Sequence, residues 1–252
     1  MKLVSVNIER AKHLERVIPF IEAEAPDVLC LQEVLEEDLP RFTRVLGGRA
    51  AFASMTMLPG MSTPTGIAIV SRHPFEHEIT YYRGEAGAVP RFDDTNAETK
   101  YGTEHAMLMS ADIVTDRSYR IATTHFTWTP DGRPDDHQRR DLAVLMPILE
   151  SKGELAFCAD FNAPRGGEIF SALAARWRDN IPSGYDWSLD LSLHRIGERM
   201  KDEAQKAGHR GFMVDGLFTT PSYVASDVKL VPGVSDHMAI VATISREVPM
   251  LE

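Results

Sequence analysis

Short β-rich apolar runs recur along this chain from one end to the other, and nearly every one meets a carboxylate, an amide or an imidazole at its end. Leu3, Val4, Val6 and Ile8 form the first run, with Asn7 and Glu9 at its close. Residues 28–31 run into Gln32 and Glu33, and residues 119–126 carry His125 near their end. Residues 155–159 lead into Asp160-Phe161-Asn162, residues 213–219 contain Asp215, and Ser235-Asp236-His237 precedes a final run at 238–244. Such periods of two bounded by polar punctuation predict strands. Further strands are predicted at 65–71, 106–114 and 224–231.

Helical spacing separates several of these runs. Leu14, Val17, Ile18 and Ile21 share one face, and Pro26 closes the segment. Leu142, Leu145 and Leu149 mark a second helix after the polar stretch 134–140. Pro19 and Pro147 lie inside these patterns, so each helix must absorb a lost hydrogen bond. The crossover spacing of the first half predicts parallel pairing, and the closely spaced strands near 106–126 and 213–244 predict antiparallel pairing. The chain therefore reads as a mixed α/β domain spanning 1–252, since no repeat or linker divides it. The pattern alone gives no topology.

Composition narrows the function classes. Lys plus Arg number 27 against 37 Asp plus Glu, a net charge of −10. A chain this acidic makes a poor non-specific partner for duplex nucleic acid or anionic membrane unless a local basic patch supplies the contacts. No apolar run reaches the roughly 18 residues of a membrane span, and the first residues lack a signal-peptide h-region. Cys30 and Cys158 each sit within an apolar run and read as buried, reduced thiols in strands, which with the missing leader predicts a cytoplasmic protein.

Each strand-end residue has an ordinary explanation when taken singly, such as a helix cap, an Asx turn or a hydrogen-bonded core histidine. Six strand ends of one chemical type are a different matter. Clustered carboxylates repel unless a cation neutralises them, and oxygen ligands with open positions suit Mg²⁺ or Mn²⁺ better than zinc. Two polar stretches stand apart from the strands. Residues 83–103 read as a long functional loop. Residues 194–210 hold five basic against three acidic side chains, and read either as a solvated helix or as a lid over an anionic substrate.

Taken in order, Asn7-Ile8-Glu9, Leu31-Gln32-Glu33, the run 66–74, Thr124-His125-Phe126, Asp160-Phe161-Asn162, Asp215 and Ser235-Asp236-His237 resemble the endonuclease/exonuclease/phosphatase superfamily. The resemblance spans residues 3–244. It implies an α/β (α+β) four-layer sandwich, with two face-to-face mixed β-sheets flanked by helices and the site at one edge between the sheets. Two departures stand out. Ala159 occupies the position before Asp160 where the family usually has glycine, and Met213-Val214-Asp215-Gly216 replaces an Arg-x-Asp-Tyr pattern.

The resemblance further implies a Mg²⁺-dependent hydrolase of phosphate esters, with Mn²⁺ as a substitute. In it Glu33 is the main metal ligand, with Glu9 and Asp236 contributing directly or through water. Asp160 accepts the proton of the attacking water, and Asn162 and Asn7 position water and phosphate. His237, held by Asp215, contacts the transferring phosphoryl group, and His125 binds phosphate or protonates the leaving oxygen. The expected substrate is a small or medium phosphate ester turned over by a phosphodiesterase or phosphatase. Alternatives are a metal-dependent nuclease, short of tight duplex binding, and a non-catalytic scaffold of the same fold. Trp128 and Tyr185-Asp186-Trp187 are candidate substrate contacts; His13, His73, His77, His105, His137, His194 and His209 are read as structural.

Overall fold

The computed structural model describes residues 1–247; residues 248–252 of the predicted domain lie outside the described residues. Among the described residues, twelve strands form two six-stranded sheets. In the first sheet the order is β11 (Tyr223–Val231), β12 (Ala239–Arg246), β1 (Lys2–Asn7), β2 (Val28–Leu35), β4 (Thr65–Ser71), β3 (Arg49–Thr56). In the second it is β5 (Phe75–Arg83), β6 (Ala106–Val114), β7 (Ser118–His125), β8 (Ala156–Asp160), β10 (Asp215–Thr219), β9 (Arg178–Asp179).

Each sheet is antiparallel except for one parallel pair, β1 with β2 in the first and β7 with β8 in the second. Both parallel pairs are joined through a helix, as the geometry of a parallel connection requires. That helix is α1 (Leu14–Glu24) between β1 and β2, and α4 (Asp136–Ser151) between β7 and β8. Pro19 and Pro147 are accommodated inside these two helices.

The sheets pack face to face over a core that includes Leu3, Cys30, Ile69, Met109, Ile121 and Cys158. On its outer face the first sheet buries Val4, Val6 and Leu29 against α1 and α2 (Leu39–Leu46). The second sheet buries Ala122, Phe157 and Phe218 against α4 and α5 (Glu168–Ala174). Four layers result, as the resemblance implied. Cys30 and Cys158 are both fully buried thiols on opposing sheets.

Several elements escaped the sequence pattern. The amphipathic run of α2 follows a short 3₁₀ turn at Glu36–Asp38. The edge strand β5 is exposed along Glu76-His77-Glu78 and carries no alternation to betray it. The stretch 83–103 is not wholly irregular, because β5 extends to Arg83 and a short helix α3 occupies Ala97–Gly102 under an Asn96 cap. Within 194–210, α6 (Arg199–Ala207) presents Lys201, Asp202 and Glu203 to solvent, which favours the solvated-helix reading for that part.

Candidate active site

The topology itself gathers the polar strand ends. Parallel neighbours finish at the same edge, so Asn7 lies beside Gln32 and His125 beside Asp160. Antiparallel partners start where those strands stop, and Asp215 opens β10 directly opposite Asp160. The segment 235–237 enters β12 at the matching edge of the first sheet. All nine predicted site residues therefore come to one end of the sandwich. Glu9, Glu33, His125, Asp160, Asn162, Asp236 and His237 line a cavity of about 850 Å³ there, while Asn7 and Asp215 stand directly behind it.

Asn7 joins the two sheets. Its side-chain amide donates to Asp160 Oδ2 at 3.0 Å and to Glu33 Oε1 at 3.3 Å. Its own oxygen accepts from the Glu9 backbone N–H at 3.1 Å, which fixes the amide's orientation. Glu33 occupies an irregularity in β2, where the pairing with β4 shifts between Leu31 and Val34. Its φ of 53° lies in the left-handed region, as do those of Glu9 (46°) and Asn162 (49°). Non-glycine residues reach that region at a cost of about 1 kcal/mol or more, and such residues concentrate at functional sites.

Asp160 is the hub of the inner wall. Burial alone would raise its pKa, but the charges of His237 and His125 and the Asn162 N–H at 2.8 Å outweigh it and hold the group at about 2. His237 Nδ1–H donates to Asp215 Oδ2 at 2.8 Å, which leaves Nε2 pointing at Asp160 Oδ2, 3.6 Å away. Burial disfavours the imidazolium, yet Asp215 and Asp160 together push the His237 pKa well up. Asp215 is itself raised, because burial and the nearby Asp160 charge exceed the attraction of His237. His125 Nε2 lies 3.5 Å from Asp160 Oδ2 and 3.8 Å from Glu33 Oε1, and these carboxylates raise its pKa against burial.

The outer wall is carboxylate-rich. Burial, together with the charges of Glu9 and Glu33, raises Asp236 to about 6 against the pull of His237. Ligand atoms of Glu9, His13 and Asp236 lie within 4.8 Å of one another, and Glu33 stands outside this triad. Sequence reasoning assigned the neutralisation of these carboxylates to a metal alone. The structure adds protein cations: Arg10 donates to Glu33 Oε2 at 2.8 Å, and Lys12 and His13 pair with Glu9. Burial raises Glu9, but Lys12, His13 and Arg10 bring its pKa down on balance.

Other residues matter that the sequence did not single out. Ser188 Oγ accepts the N–H groups of Val214 at 2.9 Å and Asp215 at 3.0 Å, which places the carboxylate behind His237. Asp190 N–H donates to Asp236 C=O at 2.7 Å, and its side chain accepts from Gly233 N–H at 2.6 Å, so the 188–190 strip braces the 233–238 loop. Gln138 donates to Thr127 C=O at 2.6 Å and to Asn162 C=O at 3.3 Å. His137 and His194, read as structural, both line the cavity, and His13 touches Glu9. Ser188, Asp190 and Gln138 sit outside any strand-end pattern, and nothing in the sequence marks them.

Of the aromatic candidates, Trp128 lines the cavity and is 44% exposed. Tyr185-Asp186-Trp187 does not reach it. Tyr185 Oη accepts from Leu230 N–H, Trp187 packs edge-on against Phe212, and Asp186 pairs with the exposed Arg210. These residues anchor a loop, and Arg210 supplies no site cation. One departure beside Asp215, the glycine in place of tyrosine, has a steric reason. Gly216 pairs with Ala159, and a Cβ at 216 would fall 2.8 Å from the Phe161 ring and 2.9 Å from the Phe218 ring. A tyrosine there would collide with this aromatic cluster.

The endonuclease/exonuclease/phosphatase family model matches residues 4–237, and the chain belongs to that family. Members act as phosphatases, phosphodiesterases and nucleases and are generally metal-dependent. The fold is similar to an endonuclease/exonuclease/phosphatase protein from Bacteroides vulgatus (TM-score 0.70, 15% identity, 98% of each chain covered). It is also similar to the human nocturnin catalytic domain (TM-score 0.65, 17% identity, 98% of this chain and 93% of that one). A Bacteroides thetaiotaomicron mannosyl-6-phosphatase gives TM-score 0.63 at 10% identity, over 97% of this chain and 99% of that one. No curated protein sequence matches the chain. Among the described residues, no helix is long and apolar enough to cross a membrane.

Proposed function

We propose that the chain, as one domain, is a divalent-cation-dependent hydrolase of phosphate esters, acting as a phosphodiesterase or phosphatase on a small or medium substrate. The observation that carries this reading is the convergence of His125, His237 and Asn7 on the single buried carboxylate of Asp160, beside the carboxylates of the outer wall.

The donors suit a hard divalent cation: Glu9 and Asp236 offer carboxylate oxygens beside the His13 imidazole, and Glu33, outside that triad, offers further oxygens from the same cavity. Bound there, Mg²⁺ (or Mn²⁺) supplies charge neutralisation at the phosphoryl oxygens. The protein's own groups do the rest. Asp160, held ionised, takes the proton of the attacking water, which Asn7 and Asn162 orient. His237 stays protonated through Asp215 and presents Nε2–H to the phosphoryl oxygens. His125 Nε2 approaches the same Asp160 oxygen from the second sheet, placed to donate to the phosphate or the leaving oxygen.

The cavity suits a compact ligand, because its volume falls in the usual range for small-molecule sites. Duplex nucleic acid needs a track of free cations, and here Arg10 and Lys12 are already committed to Glu33 and Glu9. The test is a turnover panel with Mg²⁺ and with Mn²⁺ over p-nitrophenyl phosphate, bis-p-nitrophenyl phosphate, single- and double-stranded DNA, RNA and sphingomyelin. Turnover of a small ester supports the reading, preference for duplex DNA moves it to a nuclease, and inactivity on all of them with tight partner binding makes the chain a scaffold.

A further inference from the structure

The cavity holds more positive charge than the hydrolytic centre uses. Three of its cations are committed: Arg10 to Glu33, Lys12 to Glu9, and Arg83 to the buried Asp141 at 3.2 Å. Lys100 and Arg195 also line it, and among the described residues neither forms an ion pair or a side-chain hydrogen bond. Lys100 projects from α3, and its Nζ lies 3.7 Å from the centroid of the Trp128 ring. Arg195 lies in the turn that precedes α6.

We propose that Lys100 and Arg195 form a second anion subsite in the cleft, so that the preferred substrate carries a second phosphate besides the one hydrolysed. This deepens the phosphate-ester reading and rests on it. Burial lowers the Lys100 pKa, with the Arg195 charge acting in the same direction, while Glu33, Glu104 and Asp94 oppose it. Lys100 and Arg195 line the same cavity as Glu33, Asp160 and His237, which makes the subsite a neighbour of that centre. Glu104 and Asp94 are within electrostatic reach of the ammonium but do not pair with it.

The carboxylates of Glu104, Asp94 and Glu33 act on the half-buried ammonium without pairing with it, so a ligand anion in direct contact offsets more of its desolvation cost. Two cations in one cleft, neither of them in an ion pair among the described residues, match a phosphate, which carries nearly two charges at neutral pH, better than a carboxylate, which carries one. The Trp128 indole, itself part of the cavity lining, holds the ammonium through a cation–π contact, so Trp128 acts as a positioning residue. Two such cations within the cleft suit a compact bisphosphate better than a polymer, whose repeated phosphates need a continuous basic track.

The experiment is calorimetric titration with α,ω-alkanediol bisphosphates of graded length and with the matching monophosphates. It uses Ca²⁺ as the divalent ion, and initial rates are followed on the same compounds with Mg²⁺. In the parent protein at least one spacing should bind about tenfold or more tighter than its monophosphate, the size of one good charge-assisted contact. The Lys100→Gln/Arg195→Gln double variant should bring that ratio close to one, and Lys100→Arg should largely keep it. Absence of any preferred spacing, or a preference that survives in the double variant, overturns the subsite. A preference that holds while no compound is hydrolysed with Mg²⁺ keeps the subsite and removes the hydrolytic reading instead.

Discussion

Glu9 and Glu33 meet their counter-charges at the rim of the cleft, in Lys12 and Arg10, whereas Asp160 and Asp215 meet theirs inside it, in His125 and His237. The rim pairs use long side chains that keep part of their surface in water, so exchanging one partner for another costs less there than inside. The inner pairs are buried; the Asp160 carboxylate also accepts the Asn162 N–H, and the backbone N–H of Asp215 donates to Ser188 Oγ. Removing one partner there leaves an uncompensated buried charge. The rim is thus suited to taking up and releasing ions, and the inner wall to holding protons in fixed places.

This contrast can be broken or sharpened by experiment. The largest effect expected is from chelation: EDTA should remove measurable turnover, and added Mg²⁺ should restore it. Full turnover by metal-free protein in chelator would overturn the cation-dependent reading. Next come the inner-wall variants. Asp160→Asn keeps shape but not basicity, and should lower kcat about 10²–10⁴-fold, the usual cost of losing a general base. His237→Ala should cost at least as much, and adding Asp215→Asn to it should change little, since residues acting as a unit are non-additive. Multiplicative losses in that cycle would show Asp215 working apart from His237.

Glu33→Ala, on the rim, should weaken Mg²⁺ binding and lower the rate together, with part of the rate recovered at high Mg²⁺; wild-type rates at low Mg²⁺ would remove Glu33 from the ligand set. Ser188→Ala leaves two buried N–H groups without their acceptor, a loss of about 1–3 kcal/mol in stability. A lower Tm accompanied by a lower rate is the expected pair of readings, and an unchanged Tm refutes the account of Ser188. The smallest effect should follow Arg10→Gln. Freed of its guanidinium, Glu33 should bind Mg²⁺ a few-fold tighter, on the scale of one solvated ion pair. Weaker Mg²⁺ binding would mean that Arg10 orients the carboxylate rather than competing for it.

The sequence revealed the inner wall and half of the rim for a physical reason. Asn7, Glu33, His125, Asp160 and Asp215 fall at the ends of strands whose apolar runs are conspicuous, and parallel pairing obliges such ends to share an edge. Arg10, Lys12 and Lys100 belong to turns or a one-turn helix, where nothing periodic separates a site cation from a solvated one. Ser188 and Gln138 act through backbone groups far away in sequence, a relation that no local pattern encodes. Tyr185-Asp186-Trp187 erred in the other direction: an aromatic loop near the site in sequence turned out to face the packing of Phe212 and Leu230.

The pairing of β1 with β12 has a consequence for how this protein is made. Met1's amino group donates to the Ile244 carbonyl, so the first strand finds its second neighbour only among the last residues described. As the chain leaves the ribosome, β1 and β2 can pair early through the α1 crossover, yet the other edge of β1 stays open until residues 239–246 have emerged. An open apolar edge invites pairing with other chains. Asp236 and His237 arrive in the same late stretch, just ahead of the strand that closes the sheet. Synthesis thus delivers the closing strand of the sheet and the last two residues of the strand-end cluster together.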